Sequence, residues 1–348
     1  MKRGAKGAPD SLGRILKWVG AATAVISLIL GARQLITIAT DNAQRNRESA
    51  EFLALAQQQA ARGEFADSWK SLDRADERAR KTTTDEARLD IAFRWLQDGR
   101  PGPDQPFSRI TDAVVPTLDR ALLDSNHPRR ADVLAHLGWA TFLKRRDTGT
   151  GDPEVQYKQA LAIDRTNVYA NTMLGHWLMW QRKAPDIARP YFETALATGK
   201  EHALVRTFQL MALRGRNDDD ADPELMRVAN SMRQQNETLD ERSARDVHVT
   251  YVHRYGPNAS RTAPKTLEVS AADQLATYTW LIGMPGISDR AEVREYVLAM
   301  LKEATGDRPA ALQALRALVT KLRGGGDESF RADVTRQIKR LEREPRPE

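Results

Sequence analysis

Residues 131–198 read ADVLAHLGWATFLKRRDTGTGDPEVQYKQALAIDRTNVYANTMLGHWLMWQRKAPDIARPYFETALAT. They hold two copies of one helical hairpin, back to back. In the first copy Leu137-Gly138-Trp139 lies on one helix and Tyr157, Ala160, Leu161 and Ala162 on the next. In the second, Leu174-Gly175-His176 is followed by Tyr191, Phe192, Ala195, Leu196 and Ala197. Gly138 and Gly175 are 37 residues apart, and Ala160 and Ala195 are 35 apart. A fixed step of this length, filled by two helices, is a repeat spacing, and it predicts hairpins that cover one another's apolar sides.

A third hairpin precedes this pair, over Ser49–Arg80. Phe52, Leu55 and Ala56 share one face of its first helix at i, i+3, i+4 spacing. Arg62-Gly63-Glu64-Phe65 makes the turn, with Gly63 suited to the left-handed conformation that ends a helix. Ala66, Trp69, Leu72, Ala75 and Asp76 continue as the second helix, and Phe65 and Trp69 pack back on the first.

The segment resembles a tetratricopeptide repeat (TPR), with Phe52, Leu55, Ala56, Gly63, Phe65, Ser68, Leu72 and Ala75 at the signature positions. Leu137-Gly138, Tyr157 and Ala160 fit the same template, as do Leu174-Gly175, Ala188, Phe192 and Ala195. The first of these pairs carries an insertion around Gly149–Asp152, and Arg165 stands where the usual closing proline would fall. A hairpin near the C-terminus matches again, through Leu298-Ala299, Gly306-Asp307, Ala311, Leu315 and Leu318. The resemblance implies an all-α fold, a TPR-like α-solenoid whose first helices line a concave groove that binds a protein partner. Carried onto the two clearest repeats, the groove positions are Asp132, Ala135, Trp139 and Phe142, then Tyr169, Thr172, His176 and Met179. Aromatic and methionine side chains there suit an extended peptide or helix. The competing reading is that Trp139, Phe142 and Met179 pack between adjacent helices. Trp177 and Trp180 read as core.

Between the hairpins the patterns are less regular. Thr82–Leu96 is predicted helical, with Ala87, Ile91 and Trp95 at four-residue steps, and Ile110–Leu123 likewise. The prolines at 101, 103 and 106 exclude a helix interior between them. His202–Arg214 and Leu225–Met232 read as helices. Ala244–Tyr255 has strand-like alternation at Val247, Val249 and Tyr251, but its helical neighbours favour helix. Gly256–Thr266, with two prolines, marks a break, so that 39–256 is the repeat region and 257–348 a set of C-terminal hairpins. Helices are expected over Ala271–Ile282, Arg290–Thr305 and Pro309–Leu322. After Gly324-Gly325-Gly326, an amphipathic helix over Phe330–Leu341 would cap an open apolar edge.

The chain head is of another kind. Residues 1–17 carry Lys2, Arg3, Lys6, Arg14 and Lys17 and read as a loose basic tail. Trp18–Leu30 has no charge, and apolar character lasts to Ile38. The 20 residues Val19–Ile38 match the length that crosses a bilayer core. Arg33 sits near the end of the span, where a long side chain can reach the interface. The stretch reads as a single-pass signal anchor over 18–38; a cleaved signal peptide and a buried or interfacial helix are the alternatives. The positive-inside rule puts the head in the cytoplasm and the repeats outside, periplasmic in a Gram-negative source.

Composition narrows the classes. Cysteine is absent, which excludes disulfides, thiolate nucleophiles and cysteine-based metal sites. With 53 basic and 47 acidic residues the net charge is +6, and five of the basic residues lie in the head against one acidic residue, Asp10, so the body is close to balanced and shows no basic face to suit nucleic acid. A mean hydropathy of −0.57 confines any membrane segment to one place. The histidines 127, 136, 176, 202, 248 and 253 form no zinc-binding pair, no phosphate-binding glycine loop occurs, and the acidic run Asp218–Asp222 lacks the glycine and glutamate of a calcium loop. No catalytic, cofactor or metal residue and no small-molecule substrate is expected. The leading function is a membrane-anchored scaffold or adaptor for a protein partner. A regulatory or sensory component of a membrane signalling or envelope complex comes second, and an enzyme with a site in Asp218–Thr266 third.

Overall fold

The computed structural model describes residues 11–101, 105–214, 216, 221–257, 259, 268–287, 290–323 and 327–343. Side chains are described from Leu30 onward, apart from residues 31 and 32. Among the described residues the chain is all-α, with no strand. The Asp218–Asp220 run, the Gly324–Gly326 separator, residues 1–10 of the head and most of Gly256–Thr266 lie outside the described residues. The chain divides into two compact units, Met1–His127 with Leu143–Gly151, and Pro128–Phe142 with Asp152–Glu348.

The first unit holds α1 (Ser11–Ala61), α2 (Phe65–Ala79), α3 (Thr82–Asp98) and α4 (Ser108–Leu122). α1 is one unbroken helix of 51 residues, about 77 Å long at 1.5 Å per residue. It includes Ser11–Lys17, which the sequence reading placed in a loose tail; no proline lies between Pro9 and Pro101, and extending an existing helix by a few residues is cheap once it is nucleated. The C-terminal end of α1 folds back on α2 through Gly63, whose φ of +78° lies in the left-handed region that favours glycine. Ala56, Ala60, Phe65, Leu72, Ala87 and Ile91 form the core of α1–α3, with Leu53, Trp69 and Trp95 against it. Ser68 Oγ donates to the Ala56 carbonyl at 2.8 Å, and Ser71 Oγ to Gln59 at 2.8 Å, pinning the hairpin's register. The buried guanidinium of Arg88 bridges Asp73 at 2.9 Å and Asp76 at 2.8 Å and lies over the Trp69 ring. Pro116 sits inside α4, where the buried face of Ile110, Thr111, Val114 and Leu118 outweighs one missing backbone donor.

The predicted anchor Val19–Ile38 falls within α1. Its backbone is helical, and the side chains of residues 19–29, 31 and 32 lie outside the described residues. Among the described residues, no helix is long and apolar enough to cross a membrane.

α5 (Arg130–Thr148) contributes residues to both units. The second unit takes its first thirteen residues together with α6 (Glu154–Ile163), α7 (Val168–Trp180), α8 (Pro185–Ala197), α9 (His202–Arg214), α10 (Ala221–Gln234), α11 (Glu241–Tyr255), α12 (Ala271–Leu281), α13 (Ala291–Ala304), α14 (Arg308–Leu322) and α15 (Glu328–Arg343). From α6 onward each helix packs on the next, and α7 also meets α9, α10 meets α12, and α11 meets α13. Ala244–Tyr255 lies in α11 and is helical: Val247 and Tyr251 are buried one turn apart while Val249 faces out. Cross-helix ion pairs accompany the apolar contacts. Arg189 of α8 meets Glu224 of α10 at 2.8 Å, and Arg233 of α10 meets Asp273 of α12 at 3.1 Å. Tyr296, Ala299, Ala311, Leu315 and Leu318 make a C-terminal core, which α15 extends with Phe330, Val334 and Leu341.

Candidate functional site

In the second unit an open cleft of about 680 Å³ lies at the N-terminal ends of α5, α7 and α9. Asp132 lines it from the first turn of α5, Asn167 and Tyr169 from the start of α7, and Lys200 and Glu201 from the α8–α9 turn. The local sequence builds each part. Asp164 Oδ1 accepts from the Thr166 amide at 2.9 Å and its hydroxyl at 2.8 Å, which turns the chain out of α6. Asn167 then caps α7, its Oδ1 accepting from the Ala170 amide at 2.9 Å. The same side chain donates through Nδ2 to Asp132 Oδ1 at 2.7 Å, so one asparagine both starts a helix and orients a carboxylate of the preceding repeat. Arg129 Nε stands 3.6 Å from the other Asp132 oxygen. Gly199 and Glu201, with φ of +68° and +48°, turn the chain into α9 and bring Glu201 Oε1 to 3.2 Å from the Tyr169 hydroxyl, which donates to it.

His136 lies behind this cleft, fully buried. Its Nδ1 donates to the Asp132 carbonyl at 2.7 Å, and its ring meets that of Tyr169 at 4.7 Å. Burial pushes its pKa down from 6.5 to about 3; nearby Arg129 adds to the fall, and the bond to the Asp132 carbonyl opposes it. The imidazole is therefore neutral at pH 7. Burial, with Glu201 and Asp132 nearby, pushes the Tyr169 hydroxyl above its ordinary range, so it acts as a donor. Three carboxylates, at 132, 164 and 201, line the cleft with Lys200, and Arg129 pairs with Asp132 beside it. The arrangement presents acceptors and negative charge to a ligand.

The groove positions expected from the sequence divide in two. Asp132 and Tyr169 line the cleft and are partly exposed. Ala135, Trp139, Phe142, Thr172, His176 and Met179 are buried. Trp139 stacks on Phe142 at 4.7 Å, meets the His176 ring edge-on at 5.1 Å and packs on Phe208 of α9 at 4.7 Å. The Met179 sulfur lies 4.0 Å from the buried guanidinium of Arg216. These side chains pack between helices and present no surface to a partner. Trp177 is buried as expected. Trp180 is not in the core: at the end of α7 it touches Phe142 at 5.2 Å by one edge and remains 49% exposed.

Sequence reasoning passed over Asn167, Glu201 and Phe208. The run Asp164-Arg165-Thr166-Asn167 before an apolar stretch is a helix-start signal that locates Asn167. Nothing local in the sequence brings Phe208 of α9 over Trp139. Among the described residues no group of three or more histidine, aspartate or glutamate side chains could hold a metal ion. In comparisons with known proteins, no family model matches the chain and no curated protein is significantly similar to it.

Proposed function

We propose that this chain is a membrane-anchored, TPR-like helical scaffold that binds a protein partner. The observation that carries the reading is the apolar surface of α1. Leu30, Leu35, Ile36 and Ile38 are all exposed. At 100° per residue they point around the whole helix and form no stripe that a single neighbouring helix could cover. A lipid environment covers such a helix on every side. The basic head then stays in the cytoplasm and the repeats stand outside, in an α-solenoid.

The partner surface in this reading is the cleft of Asp132, Tyr169 and Glu201, because the aromatic row behind it is already covered. Its charge suits a basic segment of the partner.

The test is made in native membranes. The full chain is expected to resist carbonate extraction, and a chain lacking residues 2–38 to appear in the soluble fraction. A reporter active only outside the cytoplasm, fused after Glu348, is expected to work. A photo-crosslinking residue at Tyr169 is expected to capture one protein species, and the same residue at Trp139 none. Full release of the intact chain by carbonate ends the anchoring reading; equal capture from both positions ends the assignment of the cleft.

A further inference from the structure

A second cleft, of about 630 Å³, opens in the first unit between the α1–α2 turn and described residues at the end of α3 and the start of α4. Four arginines line it: Arg62, Arg94, Arg100 and Arg109. The partly exposed ring of Trp95 forms an apolar wall, held from behind by Phe65 and Trp69 at 6.4 and 5.6 Å. Glu64, Asp67 and Asp98 share the rim. Two of these acids are engaged, Glu64 with Arg62 at 3.8 Å and Asp67 with Lys70 at 2.9 Å.

The arginines are less fully engaged. Arg94 Nη2 donates to the Ala60 carbonyl at 3.4 Å. Arg100 Nη1 donates to the Gln97 and Gly99 carbonyls at 2.9 and 3.0 Å. These bonds serve the C-terminal ends of α1 and α3, yet each guanidinium carries five N–H donors, so both keep donors to spare. Among the described residues, none of Arg94, Arg100 and Arg109 pairs with a carboxylate.

We propose that this cleft binds an acidic segment of a partner protein, with spaced carboxylates on Arg94, Arg100 and Arg109 and an apolar side chain on Trp95. Arginine's planar fork matches a carboxylate in a two-point bond. Acids share the cleft with the arginines, so a dense polyanion such as a polyphosphate meets Asp98 and Glu64 as well as the arginines. Spaced carboxylates avoid them. A lipid headgroup is the other anion near an anchored chain. Along α1, Ala60 stands 22 residues beyond Ile38, about 33 Å at 1.5 Å per residue, which is beyond the headgroup layer. This last step rests on the anchoring reading; the rest does not.

The experiment uses the full chain in nanodiscs of zwitterionic lipid and a fluorescein-labelled peptide of alternating glutamate and glycine. Saturable binding is expected, weakening with salt. The charge reversal R100E/R109E should weaken it about tenfold or more, and the milder R100Q/R109Q by less. Circular dichroism checks the fold, and the glutamine pair carries the test where the reversal disrupts it. Equal binding by wild type and the folded variants overturns the proposal. So does equal binding of a lysine–glycine peptide, or displacement by tripolyphosphate at concentrations below those at which the peptide binds. Loss of peptide binding in nanodiscs containing anionic lipid, with the chain still anchored, overturns the placement away from the headgroups and leaves the anchor standing.

Discussion

Gly138 faces the ring of Tyr157 so closely that a Cβ at position 138 would lie 2.5 Å from it. One repeat later Gly175 faces Phe192, where a Cβ would come within 2.9 Å. In both hairpins a glycine on the first helix lets an aromatic ring on the second lie against its backbone. The repeat spacing is the sequence trace of this close approach.

Gly138→Ala is therefore expected to destabilise the second unit. Overpacking typically costs about 1–3 kcal/mol, and the gain in helix propensity returns at most about 1 kcal/mol. Gly175→Ala should cost less, because its contact is looser. Urea unfolding followed by circular dichroism measures both, and combining Gly138→Ala with Tyr157→Leu should recover part of the loss. A neutral Gly138→Ala would mean that the ring moves aside freely.

Trp139 and Trp180 should respond in opposite ways. Trp139 is buried under Phe142, His176 and Phe208, and its truncation to alanine is expected to cost about 3–5 kcal/mol. Trp180 is half exposed, and its truncation should cost about 1 kcal/mol or less. The same unfolding curves decide the point; similar losses at the two sites would contradict the packing described.

Asn167 couples two repeats through one side chain. Asn167→Ala removes the cap of α7 and one of the partners of Asp132, an expected loss of about 1–2 kcal/mol. Asn167→Asp keeps the cap acceptor and sets a second carboxylate beside Asp132. Its loss should shrink in high salt, and that of Asn167→Ala should not. Unfolding midpoints at low and high salt separate the two effects.

His136 makes stability depend on pH. Its folded pKa of about 3 lies below the unfolded value of 6.5, so between these values the unfolded chain binds the extra proton. Its contribution is fully present above pH 6.5 and is lost as pH falls toward 3. His136→Gln keeps a side-chain N–H for the Asp132 carbonyl and does not titrate there. The variant is expected to show a flatter fall in unfolding free energy between pH 6.5 and 4, with the carboxylate contributions common to both chains. Parallel curves would show that His136 is not held neutral by burial.

Residue order alone carried most of the helical architecture. Periodicity placed the Ser49–Arg80 hairpin, and it placed α9 and α12–α15 closely, because a helix that buries one side must show that side every three or four residues; for α11 the local alternation suited a strand, and only its helical neighbours favoured helix. The glycines at 63, 138 and 175 were legible for the same kind of reason, since each answers a local backbone or contact requirement. A loose head was the wrong expectation for Ser11–Lys17, where a long neighbouring helix extends through residues with weak preferences of their own. What local pattern could not reach was which apolar side meets which. Trp139, Phe142, His176 and Met179 occupy first-helix positions that read equally well as an open groove or as a packed seam. Phe208, about thirty residues beyond His176 and on another helix, closes over that row, and burial depends on such long-range neighbours rather than on spacing along one helix. The cleft followed the same rule: Asp132, Asn167, Tyr169 and Glu201 converge because successive first helices begin side by side, a relation that exists only after the hairpins have packed.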